Sequence, residues 1–230
     1  MEIIVFGDSV LKGVILEKDK YKLSKESFSN ICEKALKIKL YNKSKLGSTV
    51  LEGKKIIEKN IESIKEINGR YVILEFGGND CDFNWKQISE NPLDDIEPNV
   101  IISNFVKYYT EIINEIKKIG KIPVLLSLPP IDYNKFFNTR VKGLNQDNIL
   151  KWMESNKQCI TNWHERYNIE VFKIAIDNKV PIIDITSKFL EYKNYEMFLC
   201  DDGIHPNEKG HKIISEIICE YVKNKNITFD

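Results

Sequence analysis

YVILEFGGND, residues 71–80, holds the stretch whose reading decides the fold. Its first six residues, YVILEF, run Tyr, Val, Ile, Leu, Glu, Phe, with no apolar–polar alternation. A strand that is apolar at successive positions has both faces covered, which is the pattern of a parallel sheet between helices. IIVF at 3–6 repeats that pattern, and strands are also expected at 38–41, 122–128 and 181–185. Between them the apolar period becomes helical. Phe28, Ile31, Cys32, Ala35 and Leu36 share one helix face, with Ser24 as the expected N-cap. Thr49 and Glu52 form a capping box, and the helix they open carries Ile57, Ile61 and Ile64 on one face. Ile101, Phe105, Tyr108, Ile112, Ile116 and Ile119 make a stripe that stops at Gly120, and Ile213, Ile214, Ile217, Ile218 and Tyr221 define a closing helix. Strands alternating with helices predict a three-layer α/β/α domain around a central parallel sheet. With no repeat, low-complexity segment or Gly/Pro/Ser-rich linker, residues 1–230 are expected to form a single domain.

Composition narrows the function classes. The chain has 34 basic and 34 acidic side chains, so it offers no electrostatic case for nucleic acid or an anionic membrane as partner. No apolar run approaches the roughly 20 residues of a membrane span, and Met1-Glu2 opens without a basic signal region. Cys32, Cys81, Cys159, Cys200 and Cys219 are odd in number and scattered, which suits reduced thiols and a cytoplasmic location.

In open parallel sheets, ligands bind beyond the carboxyl ends of the strands. Four segments carry chemistry there or just before a helix. FGDSV at 6–10 places Ser9 directly after the first strand, as an exposed nucleophile or as a helix cap. KLGSTV at 45–50 puts Gly47 before a capped helix start, where an N–H suits an anion or the glycine simply turns the chain. FGGND at 76–80 offers Asn79, an uncharged donor suited to an oxyanion, or else a cap. DDGIHPNEKGH at 201–211 sets Asp202 three residues before His205. That spacing can bring a carboxylate onto Nδ1 and leave Nε2 free to take a proton from a serine.

Together these blocks resemble the SGNH/GDSL hydrolase family, whose signature residues correspond to Ser9, Gly47, Asn79 and His205 in that order. The resemblance runs from residue 3 to about 214. Its one departure is Val10, where the family usually has leucine, at a position that packs rather than reacts. The resemblance implies a flavodoxin-like sheet and a Ser9–His205–Asp202 triad. It also implies an oxyanion hole made by the Ser9 N–H, the Gly47 N–H and the Asn79 side chain. The expected activity is hydrolysis of a small-molecule acyl ester through an acyl-enzyme, with no metal or organic cofactor. An acyltransferase with the same triad, or a binding module without turnover, are the alternatives, and oligomeric state is open.

Other chemistries lack their motifs. No serine sits in GxSxG, and there is no P-loop or GxGxxG. Cys200, Asp201, Asp202 and His205 match no common zinc spacing. Candidate substrate contacts are Asp8, Phe83, Trp85, Tyr133 and Arg140. Phe83 and Trp85 belong to a loop, 80–97, with six carboxylates and the single base Lys86, which would disfavour anions if it overhangs the site. Residues 129–148 are long for a connection and are expected to form a lid or pocket wall. Cys81 is expected to be buried or neutral, His164 structural, and His211 outward-facing on, or capping, the last helix.

Overall fold

The computed structural model describes residues 2–224; Met1 and residues 225–230 of the expected 1–230 unit lie outside the described residues. Five strands form one sheet in the order β4-β1-β5-β6-β7, every neighbouring pair parallel: β1 (Glu2–Gly7), β4 (Lys39–Asn42), β5 (Tyr71–Glu75), β6 (Ile122–Leu126) and β7 (Ile182–Ile183). Successive side chains of a strand point to opposite faces, so apolar strands fill two cores at once. Ile4, Phe6, Val72, Leu74 and Leu125 face one side, against α3 (Val50–Lys59), α4 (Ile61–Glu66), α6 (Ile102–Lys118) and α9 (Cys159–Asp177). Ile3, Val5, Ile73, Val124, Leu126 and Ile183 face the other, against α2 (Phe28–Leu36), α10 (Thr186–Leu190) and α11 (Glu208–Asn224). The three-layer α/β/α architecture expected from the strand pattern is present.

Two further parts frame the strand ends. A short helix α1 (Ser9–Lys12) leads into an antiparallel hairpin of β2 (Val14–Glu17) and β3 (Lys20–Leu23), which no strand pattern had suggested. The segments after β5 and β6 fold into α5 (Trp85–Glu90), α7 (Tyr133–Arg140) and α8 (Gln146–Trp152). With the start of α9 they bury a third cluster around Trp85, Phe136, Phe137 and Ile160, against which Phe83, Trp152 and Trp163 pack.

Local expectations are corrected in places. Ser27, not Ser24, caps α2: its hydroxyl accepts from Asn30 N, whereas Ser24 Oγ accepts from Glu26 N in the exit from β3. The helix opened by the Thr49–Glu52 capping box stops at Lys59. Asn60 turns its side chain back onto the Ile56 carbonyl at 2.7 Å, and a new helix starts at Ile61. Tyr109, rather than Tyr108, is the fully buried tyrosine of α6. His211 neither faces out nor caps α11: it is completely buried and stacked on Phe28, and burial lowers its pKa to about 4, so it is neutral.

Candidate active site

Ser9 stands at the carboxyl end of β1 as the first residue of α1. Asp8 caps that helix, its Oδ1 accepting from Val10 N at 2.8 Å. The imidazole of His205 reaches Ser9 from the far end of the chain, with Nε2 2.9 Å from Ser9 Oγ. Its Nδ1 lies 2.6 Å from Asp202 Oδ2. The turn that holds this pair closes on itself. Asp202 Oδ1 accepts from the backbone N–H groups of Ile204 and His205, and the Cys200 N–H donates to the His205 carbonyl. Gly203 has φ +71°, and a Cβ there would meet Asp132 O at 2.4 Å, so only glycine fits. Burial, the largest single influence on Asp202, pushes its pKa up. The hydrogen bond to His205, the imidazole charge and the two backbone donors together outweigh it and leave the carboxyl below its usual value. Adjacent Asp201 is exposed.

Asn79 sits beside Ser9 at the end of β5. One amide contact is firm, Nδ2 to Asp8 Oδ2 at 2.8 Å, and the other is long, Nδ2 to Ser48 O at 3.4 Å. Gly47 occupies the third position of a turn closed by Ser48 N–H on Lys45 O, with φ +72°. That turn is pinned to β1, because Lys45 N–H donates to Gly7 O at 3.0 Å.

Behind these loops lies a group of buried carboxyls with no local sequence signal. Asp80 Oδ1 accepts from Val50 N at 2.9 Å, tying the Asn79 loop to the helix that follows Gly47. Burial pushes Asp80 up to about 8, against the Val50 donor and with help from Asp8. Glu75 is pushed well above the usual range by burial and then by Asp8, and Asp8 is itself raised by burial despite its donors. Glu75 Oε2 and Asp80 Oδ2 have no hydrogen-bond partner among the described residues. Both features favour retained protons on Glu75 and Asp80.

Ser9, Asn79 and His205 open onto a cavity of about 50 Å³, and of the expected substrate contacts Asp8, Phe83, Trp85 and Arg140 line it. Tyr133 and Gly47 are not among its lining residues. Asp8 meets the cavity with a carboxyl already occupied by Val10 and Asn79. Arg140 is paired with Asp82 at 2.9 Å, and Asp82 also accepts from Phe83 N and Trp85 Nε1. The loop after Asp80 therefore does overhang the site, its nearest acid neutralised by an arginine from α7. Residues 129–148 supply a wall through Pro129, Ile131, Phe136 and Arg140. Cys81 is buried, and burial holds its thiol neutral.

Sequence reasoning missed Leu128, just after β6, and Trp163 and the cavity-facing position of His164, both on α9. Glu165 Oε1 stands 3.6 Å from His164 Nδ1, beyond hydrogen-bond reach. It missed Tyr21 as well. The hairpin lays the Tyr21 ring against His205 with centroids 5.1 Å apart.

Among the described residues no helix is long and apolar enough to cross a membrane. No protein of curated function matches the chain by sequence. Solved structures do match it. A lipase/acylhydrolase from Enterococcus faecalis shares 20% identity over 97% of this chain and 96% of its own, with a TM-score of 0.64. The acetyl xylan esterase AlAXEase shares 19% over 96% and 100%, with a TM-score of 0.67. A variant of Axe2, an acetyl xylan esterase from Geobacillus stearothermophilus, shares 19% over 96% and 94%, also at 0.67. At such identities these structures establish the fold. The model of the GDSL-like Lipase/Acylhydrolase family matches residues 5–213. The chain thus belongs to that family and is a hydrolase acting on ester bonds.

Proposed function

We propose that the protein cleaves a small acyl ester through an acyl-enzyme on Ser9. The observation that carries the reading is the unbroken line Asp202–His205–Ser9, with contacts of 2.6 and 2.9 Å. Asp202 keeps the proton on Nδ1, so Nε2 is the acceptor for the Ser9 proton as Oγ attacks the carbonyl. The imidazolium then gives that proton to the departing alkoxide, and a water deprotonated by the same nitrogen clears the acyl group.

Charge on the carbonyl oxygen is met by the Ser9 N–H and by Asn79; Gly47, expected as the third donor, does not line the cavity. Asp8 holds Asn79 in place with one N–H, and the long contact to Ser48 leaves the other free to shorten onto an oxyanion. All these groups belong to the protein, and no step calls on a cofactor. A short acyl group suits the small, aromatic-lined cavity, and two of the similar structures are acetyl xylan esterases, which makes acetylated carbohydrate the first substrate to try beside short-chain esters and lysolipids. Five free thiols support a cytoplasmic location.

The test is Ser9→Ala, assayed on p-nitrophenyl esters and for acetate release from acetylated xylan. Turnover should vanish in a folded variant; wild-type-like turnover would remove the reading.

A further inference from the structure

Two hollows lie back to back beside Ser9. The first is the cavity of about 50 Å³ that Ser9 and His205 share with Phe83, Leu128 and Trp163. The second is a more open groove of about 590 Å³, bounded by Ile101 and Trp152 among others, which the proposed reaction does not use. Cys81, Phe83 and Trp163 line both, so they form the wall between them. Of these, Phe83 is the keystone. Its ring centroid is 4.7 Å from that of Trp163 and 5.2 Å from that of Trp152, in tilted and edge-on packings. Its backbone is fixed as well, since Phe83 N donates to Asp82 Oδ1 while Arg140 holds Asp82 Oδ2.

We propose that Phe83, backed by Trp163, is the specificity-determining residue that limits the acyl group to a short chain. The groove behind it is the space a medium-length chain would enter if the ring were removed. This rests on the acyl-enzyme reading above. While acylated, Ser9 keeps the acyl group and releases the alcohol, so the enclosed hollow beside it suits the acyl tail. The cavity is the smaller and the more enclosed of the two hollows, which suits a short acyl group such as acetyl to butyryl. Extra methylenes meet the Phe83 ring. With the ring gone they reach apolar surface on Trp152 and Ile101.

The experiment is a p-nitrophenyl ester panel from acetyl to decanoyl at constant leaving group, on wild type, Phe83→Ala and Phe83→Tyr. Wild-type kcat/KM should peak at acetyl to butyryl, and Phe83→Ala should raise octanoyl over acetyl by about tenfold or more, as expected for several newly buried methylenes. Phe83→Tyr keeps the ring and should keep the wild-type profile. If Phe83→Ala does not fold, Trp163→Leu opens the same wall and should shift the profile in the same direction. Wild type cleaving octanoyl as well as butyryl, or a folded opened variant with an unchanged profile, overturns the proposal. Loss of the catalytic reading is recognised separately, by turnover that survives Ser9→Ala or by absence of any ester turnover. In that event 1-octanol binding by calorimetry decides: Ser9→Ala/Phe83→Ala should bind it more tightly than Ser9→Ala, and equal affinity overturns the proposal.

Discussion

Asp202 and Asp80 are both wholly buried carboxyls near Ser9, and their pKa values are moved in opposite directions. Asp202 has an imidazole and two backbone N–H donors, and its pKa is lowered although burial alone would raise it. Asp80 has one donor from another element, Val50 N–H, faces the like charge of Asp8, and is raised to about 8. Burial is common to both, so the donors decide. The carboxyl with the lowered pKa stands behind His205, where the proposed mechanism forms an imidazolium. The raised carboxyls stand behind Asn79, where, in the proposed mechanism, a further negative charge would weaken oxyanion stabilisation.

The largest effects should come from the charged side. His205→Ala should lower kcat by about 10⁵-fold or more and Asp202→Ala by about 10⁴-fold, in the range seen when base and orienter are removed from a serine triad. Asp201→Ala should be nearly silent, because that side chain is exposed. Steady-state kinetics on the three variants checks the ranking. An Asp201 variant as damaged as His205→Ala would place the orienting carboxylate one residue earlier.

On the other side, Asn79→Ala should lower kcat by about 10²–10³-fold with KM little changed, the usual effect of losing one oxyanion donor. An effect confined to KM would assign Asn79 to ground-state binding and break the symmetry of the comparison.

The smallest effect tests the protonation state itself. A carboxyl whose folded pKa is raised contributes stability fully present below its unfolded pKa of about 4, and this is lost as pH rises through the folded value. For Asp80 that window closes near pH 8. Asp80→Asn stays neutral and keeps an acceptor for Val50 N–H, so melting temperature should fall less between pH 5 and 9 than in wild type, by roughly 10 °C. Asp8 and Glu75 act in the same direction, so the slope should shrink rather than disappear. Asp202 carries the opposite sign, with stability present above pH 4 and lost as pH falls. A variant curve parallel to wild type would show that the Asp80 charge is not what the fold resists.

The Asp202–His205 turn was legible because its chemistry is local. Asp202, Gly203 and His205 lie within four residues, and Asp202 bonds to His205 and to two backbone N–H groups of the same turn, although Asp132 N–H also reaches in to Gly203 O from a distant segment. The sheet was legible because its central strands, β1, β5 and β6, are apolar on both faces. The hairpin was not. Its turn, Lys18-Asp19, takes positive φ at both residues without glycine, and its second strand is largely exposed, so VILEKDKYKL reads as a polar loop. Helix α9 was obscured differently, because its buried face includes His164, Tyr167 and Asn168. Asn168 belongs there because its side chain accepts from Leu128 N and donates to Thr186, bracing the loop after β6. The Arg140–Asp82 pair and the Tyr21–His205 contact join distant segments, and nothing local marks either partner.

The aromatic cap over the site has one more consequence. The chain has three tryptophans, and Trp85, Trp152 and Trp163 all sit in that cap, while neither face of the sheet contains one. Tryptophan emission, excited selectively away from the ten tyrosines, is therefore a local gauge of how tightly the lobe around Phe83 is closed. Were the cap to loosen before the sheet, the fluorescence change would precede the loss of far-ultraviolet circular dichroism, and the separation between the two signals would measure how independently the substrate-facing lobe opens.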